Sequence, residues 1–330
     1  MPGLPKLKES YELLVVGAGH AGLQAGLKSA LLHHTAGVFD RGPKYARSFY
    51  APRMDNIPGF PGSVSGHALL DKQIAQVRAV EDRVGYFTPA QVHAVRRIPD
   101  GFELEFDWLR ERRTTRGRAV VFAMGVVDRM LQLQGDIKPI FPWANFGIVD
   151  FCILCDGHTL SGKSVGVLGH DRFAALTALD LLHFEPSSVE LLTHGEPLLA
   201  EVDEPVRAAL LAELEAHHIP RVESPIANLD GIREKRFEVH LADGTSRTYD
   251  KGFSALGWWD LHQEMPRSLG AAIDSEGFVS VDEDCRALDA DGQPVPGVYC
   301  VGDQKSGWNQ IPEAWASAER AVIHAYANYL

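Results

Sequence analysis

The junction between Glu12-Leu13-Leu14-Val15-Val16 and Gly17-Ala18-Gly19-His20-Ala21-Gly22 restricts this 330-residue chain more than any other stretch. An apolar run of that length fits a buried parallel strand, and the G-x-G-x-x-G that follows directly predicts a helix through Leu32. Gly17 permits the tight turn, Gly19 lets backbone amides approach a pyrophosphate, and Gly22 lets helix and strand pack closely. The helix start adds partial positive charge. His20 and Ala21 lie inside the loop, with His20 either over the ligand or a tolerated loop residue. Val38-Phe39-Asp40 predicts a second strand with an acid at its end, at the distance where a ribose hydroxyl is gripped. Strand, glycine loop, helix and acid together predict a dinucleotide site made by Gly17, Gly19, His20, Ala21, Gly22 and Asp40. They do not say which dinucleotide.

Residues 45–62, rich in Pro and Gly, read as an irregular loop centred on Met54-Asp55-Asn56-Ile57-Pro58-Gly59, the kind of segment that touches ligands. Residues 66–84 have helical spacing, and residues 91–95 and 102–106 alternate as antiparallel strands about Pro99-Asp100-Gly101. Residues 119–125 form a further buried strand that closes the first unit at Gly125. A second βα unit opens at Ser164-Val165-Gly166-Val167-Leu168-Gly169, followed by a helix from about Arg172 to His183, but its loop is spoiled. Where close phosphate approach wants glycine, the chain has Gly169-His170-Asp171-Arg172-Phe173-Ala174. Asp171 repels phosphate, with Arg172 as one compensating charge. Thr193-His194-Gly195-Glu196-Pro197, after the next strand, brings no arginine for a 2′-phosphate. Residues 202–218 read as a helix and residues 236–241 with Ala242-Asp243-Gly244 as a hairpin. Residues 252–257 read as the return to the first domain, residues 297–301 as a strand delivering Gly302-Asp303, and residues 310–330 as a closing amphipathic helix.

Between the two units stand two thiols two residues apart, in Phe151-Cys152-Ile153-Leu154-Cys155-Asp156-Gly157. Such a pair accepts and passes on electrons by thiolate attack and disulfide exchange. Asp156 is placed to hold or deliver the proton, or else caps a turn. Cys285 and Cys300 are the only other cysteines and form no second close pair, which argues against a disulfide scaffold and against zinc; no metal site is expected. The formal net charge of -12 argues against nucleic acid as a partner. No apolar run nears the roughly 20 residues that span a bilayer. The polar start lacks a signal peptide's apolar core, so the expected location is cytoplasmic.

In their order and spacing, Gly17 to Gly22, Asn56-Ile57-Pro58-Gly59, Cys152 to Gly157, and Gly302-Asp303 with Gln310 resemble the low-molecular-weight thioredoxin reductases over nearly the whole chain. The resemblance implies a homodimeric flavoprotein of the α/β class, with two Rossmann-like (three-layer ββα) dinucleotide-binding domains, the second inserted in the first. On this likeness residues 1–125 and 251–330 form a discontinuous FAD-binding domain. Residues 126–250 form a degenerate pyridine-nucleotide-like domain that carries the Cys-x-x-Cys. Gly302 and Asp303 would address the FAD ribityl and pyrophosphate, Gln310 with Ile311 the flavin edge, and Asn56 the loop beside the flavin, with Gly125 in the same cofactor set. Cys155 would face the flavin, Cys152 would attack a thioredoxin-like protein substrate, and Asp156 would be the acid/base. The spoiled second loop resembles the branch of the family that does not use pyridine nucleotides, including ferredoxin-linked and atypical, deeply branching enzymes. That likeness implies ferredoxin or another non-pyridine donor. Two other readings stay open: an oxygen-linked oxidase of a small dithiol, and an FAD-holding binding or sensor protein that does not turn over.

Overall fold

The structure, a computed structural model, describes residues 4–330; residues 1–3, the start of the polar leader, lie outside the described residues. The chain begins with β1 (Ser10–Val16), α1 (His20–Leu31) and β2 (Ala36–Phe39). It continues through α2 (Gly66–Arg78), β3 (Val84–Phe87), β4 (Ala90–Ile98), β5 (Gly101–Trp108) and β6 (Glu111–Phe122). Ser65 caps α2, its hydroxyl accepting the Ala68 N–H at 3.2 Å. Next come β7 (Val149–Asp150), the one-turn α3 (Ile153–Asp156), β8 (Ser164–Leu168), α4 (Arg172–Asp180), β9 (Ser188–Leu192) and α5 (Glu204–Ala216). Five short strands follow: β10 (Arg221–Val222), β11 (Ile226–Asp230), β12 (Phe237–Leu241), β13 (Ser246–Tyr249) and β14 (Lys251–Ser254). The chain ends with β15 (Arg286–Leu288), β16 (Pro294–Cys300) and α6 (Ile311–Asn328).

These elements form two compact units. The first comprises the chain up to Phe49, Val64–Val127 and Asp260–Leu330, and the second Tyr50–Ser63 and Asp128–Trp259. In the first, the order β15-β16-β6-β1-β2-β3 is parallel from β16 to β3, and the β4–β5 hairpin adds antiparallel to β6. Side chains on a strand alternate between faces, so β1 serves two cores at once. Leu13 and Val15 pack with α1, α2 and α6, while Leu14 and Val16 pack on the other face with Phe102, Leu104 and Phe106 of β5. Burial on both faces is why β1 reads as an unbroken apolar run.

The second unit repeats the plan on a smaller scale. Its parallel sheet runs β10-β9-β8-β14-β7, and β11-β12-β13 form an antiparallel meander. Val165 and Val167 pack with Ala174, Ala178 and Leu214 of the helices, and Leu168 and Leu192 pack with Val239 and Tyr249 of the meander. Each unit is therefore sheet, sheet and helix, the α/β plan that the two βα units imply.

The observed division differs from the sequence expectation at two places. Residues 251–254, expected to begin the return to the first domain, form β14, which pairs parallel with β8 through Lys251↔Val165 to Ser254↔Leu168. An apolar run fits either sheet equally; only the long-range register decides. The loop Tyr50–Ser63 groups with the second unit, where Asp55 bonds His158.

Candidate active site and cofactor loops

Cys152 and Cys155 are joined as a disulfide. The parallel pairing of β7 with β14, Gly252↔Val149 and Phe253↔Asp150, delivers the chain to this point. α3 then turns tightly enough that the amides of Cys155 and Asp156 both donate to the Cys152 carbonyl at 3.0 Å. Gly157 follows α3 and is tightly packed: a Cβ there would lie 2.5 Å from the Phe184 ring, which would have to shift. Leu154, between the two cysteines, is exposed, and both cysteines are half-buried.

Asp156 is half-buried, and its carboxyl is pushed up to about 7, first by burial and then by the negative charge of Asp150. Lys251 and His158 oppose that shift, and Asp55 adds to it. A group that ionises near neutrality can both give and take a proton under working conditions. His158 Nε2 lies 3.1 Å from Asp55 Oδ2, and Arg53 Nε donates to Asp55 Oδ1 at 2.8 Å. These contacts hold Asp55 below the usual carboxylate range, the Arg53 hydrogen bond contributing most.

The first glycine loop is shaped by close packing at its ends and is open at its centre. A Cβ on Gly22 would sit 1.9 Å from Gly17 O, and one on Gly17, at φ +97, would sit 2.4 Å from Ala123 O. A Cβ on Gly19 would meet nothing within 4 Å, and no side chain caps the start of α1. Ala21 is buried in the first unit's core. His20 is buried, Nδ1 2.5 Å from Gln73 Oε1 and Nε2 2.7 Å from Ser48 Oγ. With Gln73 Oε1 accepting, Nδ1 carries the proton and Nε2 accepts from the Ser48 hydroxyl; burial pushes the imidazole pKa down, keeping the ring neutral. Trp315 meets His20 edge-on at 6.3 Å, and its buried Nε1–H has no acceptor among the described residues.

Asp40, expected to grip a ribose, accepts the Ala18 N–H at 2.8 Å and the Gly42 N–H at 2.6 Å and so braces the loop. Gly302 donates to Ser317 Oγ at 3.0 Å, and Asp303 lies 3.5 Å from Arg47 Nη1. Gly125 ends the run after β6 at φ +65, Gln310 is the N-cap of α6, and Ile311 is its first residue. All of these lie in the first unit, whereas Asn56 lies in the second with Cys152, Cys155 and Asp156. The open amide start of α1, the glycine with free space before it and the orphaned indole N–H fit a dinucleotide cofactor at this loop.

The second loop is built the opposite way. Asp171, the N-cap of α4, accepts the Ala174 N–H at 2.9 Å, and Glu201 Oε1 accepts the Arg172 N–H at 2.9 Å. Two carboxylates thus occupy the amides that the equivalent helix of the first unit leaves uncapped. His170 holds this loop to the Glu201 segment through its carbonyl, which accepts Leu199 N–H at 2.6 Å. Beside it, Phe173 is exposed and packs against Trp258 with ring centroids 5.8 Å apart.

Sequence reasoning missed Asp150, Lys251, Glu201, Ser48, Gln73 and Arg47. A charge interrupting an apolar strand, as in Ile148-Val149-Asp150 and Lys251-Gly252-Phe253, was the one signal available for the first two. Cys285 and Cys300 are buried in the first unit, and burial pushes both thiols up, as inert core cysteines require. Among the described residues no helix is long and apolar enough to cross a membrane.

The sequence model of the family described as "Pyridine nucleotide-disulphide oxidoreductase" matches residues 11–320. Thioredoxin reductase of Mycoplasma genitalium is 23% identical over 328 residues, which covers 97% of this chain and 96% of that protein. Thioredoxin reductase of Borreliella burgdorferi is 28% identical over 158 residues, a match that spans 48% of this chain and 45% of that protein. Among solved structures, thioredoxin reductase from Streptococcus pyogenes aligns with a TM-score of 0.78 at 19% identity, covering 97% of this chain and 98% of that one. That likeness is one of fold, and it matches the two dinucleotide-binding domains expected from the sequence.

Proposed function

This chain belongs to the pyridine nucleotide-disulphide oxidoreductase family, and from that premise we propose an FAD-dependent dithiol/disulfide oxidoreductase that reduces a thioredoxin-like protein through Cys152 and Cys155 and draws its electrons from a donor other than NADPH. The observation that carries the donor assignment is the pair of carboxylates, Asp171 and Glu201, on the amide start of α4. A pyrophosphate at a helix start needs those amides free and meets their dipole as a positive charge. Here both features are already spent on carboxylates of this chain, and two like charges face any incoming phosphate.

The first loop supports the cofactor assignment. Gly17, Gly19, His20, Ala21 and Gly22, with Asp40, Gly125, Gly302, Asp303, Gln310 and Ile311, would hold FAD, and Asn56 would face its ring. Bound FAD supplies a carrier that joins the donor to the disulfide. Cys155 would take the electron pair, Cys152 would form and release the mixed disulfide with the partner protein, and Asp156 would hold or supply the proton. A homodimer, a cytoplasmic location and a ferredoxin or other non-pyridine donor belong to the same proposal.

Run in reverse, the reaction needs no knowledge of the donor. Thioredoxin reduced beforehand with a dithiol and mixed anaerobically with the flavin-loaded protein should bleach the flavin's visible absorbance. No bleaching by thioredoxin, together with oxygen uptake driven by a small dithiol alone, would replace this reading with a dithiol oxidase. Absence of both would leave only the binding or sensor role.

A further inference from the structure

Beside the dithiol lies a buried ion pair that the reaction outlined above does not use. Asp150 ends β7 two residues before Cys152, and Lys251 opens β14, the strand paired with it. Lys251 Nζ donates to Asp150 Oδ2 at 2.8 Å and to the Gly147 carbonyl at 2.5 Å, with side chains only 14% and 8% exposed respectively for Lys251 and Asp150. Strand register, rather than a mobile surface side chain, therefore fixes both charges. Taking an ion pair out of water costs more than an apolar pair of similar size, so stability alone gives little reason to place one here.

Its surroundings give a better one. The charges that act on Asp156 are Asp150 and Asp55 on the negative side, and Lys251 and His158 on the positive side. Asp55 is already engaged by Arg53 and His158. Burial pushes the Asp150 carboxyl up, and Lys251 foremost, then Lys163 and His158, oppose that and favour its charge. Among these charges Asp150 acts most strongly on Asp156.

We propose that Asp150 and Lys251 are a positioning pair for thiol exchange: Asp150 holds a negative charge beside Asp156 so that Asp156 serves as the proton donor, and Lys251 fixes Asp150 in place. The proposal deepens the exchange role assigned to Cys152 and Cys155 and rests on it. With a small dithiol such as dithiothreitol as reductant, one reductant thiolate attacks the disulfide, forms a mixed disulfide and expels one protein sulfur as thiolate. The Asp156 carboxyl protonates that thiolate and becomes a carboxylate. The reductant's second thiol loses its proton to solvent, closes the cyclic reductant disulfide and releases the second protein sulfur. The protein disulfide gains two electrons and the reductant loses two.

The test is the rate of that reduction, counted per dithiothreitol thiolate, followed by alkylation and mass spectrometry from about pH 5.5 to about pH 9. In the native protein the rate per thiolate should fall as pH rises through about 7, because Asp156 loses the proton it must give. Asp156→Asn should show no such limb. Asp150→Asn removes a charge that favours the protonated form, so its limb should move about one pH unit lower, which reads as about tenfold slower exchange above neutrality. Lys251→Arg should keep the native limb. Should Asp150→Asn fail to fold, Asp150→Asn with Lys251→Met leaves no lone buried charge. That double variant should still show a lower limb, since Asp150 outweighs Lys251 at Asp156. A folded Asp150→Asn or double variant with the native limb would overturn this proposal alone. A native disulfide inert to dithiothreitol would overturn the exchange reading and the proposal with it.

Discussion

Replacing either cysteine of the Cys152–Cys155 pair by serine should abolish electron exchange with thioredoxin, with a loss of at least about a thousandfold, and the double replacement should cost no more than either single one. Two sulfurs that share one disulfide act as a unit, so removing one removes the reaction. The two single variants should nevertheless differ. Cys155→Ser leaves the sulfur assigned to attack the partner, and it should trap a stable mixed disulfide with an oxidised thioredoxin-like protein. Cys152→Ser should trap far less. Mass spectrometry of the adducts reads the difference directly. Equal trapping by both would remove the assigned asymmetry, and unchanged flavin bleaching in either variant would remove the dithiol from the reaction.

The first glycine loop should separate a packing role from a ligand role by single methyl groups. Gly22→Ala places a Cβ on the backbone oxygen of Gly17, at 1.9 Å in the present geometry, so α1 or β1 must move. The expected cost is about 2–3 kcal/mol of stability, accompanied by loss of bound flavin. Gly19→Ala adds its methyl where nothing lies within 4 Å, at a backbone φ of -68 that alanine adopts freely. Its unfolding midpoint should therefore match the native protein while flavin affinity falls at least about tenfold, since the methyl stands where a pyrophosphate approaches the backbone. Denaturant unfolding and flavin retained on dialysis are the two readouts. A Gly19→Ala protein that keeps its flavin would show that the cofactor does not approach at this glycine.

How much of this was legible in the sequence follows the range of the interactions concerned. The Gly17 to Gly22 loop was readable because its pattern is local: strand, turn and helix are contiguous, and Gly22 packs on Gly17 five residues before it. The hairpin about Pro99-Asp100-Gly101 and the closing helix were readable for the same reason. Asp171 was recognised as hostile to phosphate, but not as the cap of α4. Its companion Glu201, which lies 29 residues from the amide it binds, had no local signature at all.

The Asp150–Lys251 pair was out of reach for the same physical reason. Its members are 101 residues apart and meet only because β7 and β14 pair in one register. That register also places residues 251–254 in the second sheet, against the boundary that the family likeness implied, and apolar content cannot choose between two sheets. Asp55 and His158, 103 residues apart, likewise tie the loop around Asn56 to the segment after the dithiol. Composition and periodicity report which residues are buried, and not which partner buries them.

Anaerobic titration of the flavin-loaded protein with NADPH distinguishes a dithiol supplied by nicotinamide from one supplied by another donor. With Asp171 and Glu201 on the start of α4, the flavin's visible absorbance should stay unchanged after stoichiometric NADPH, while dithiol-reduced thioredoxin bleaches the same sample. Rapid, stoichiometric bleaching by NADPH would show that the second loop still accepts the nucleotide and that NADPH is the donor.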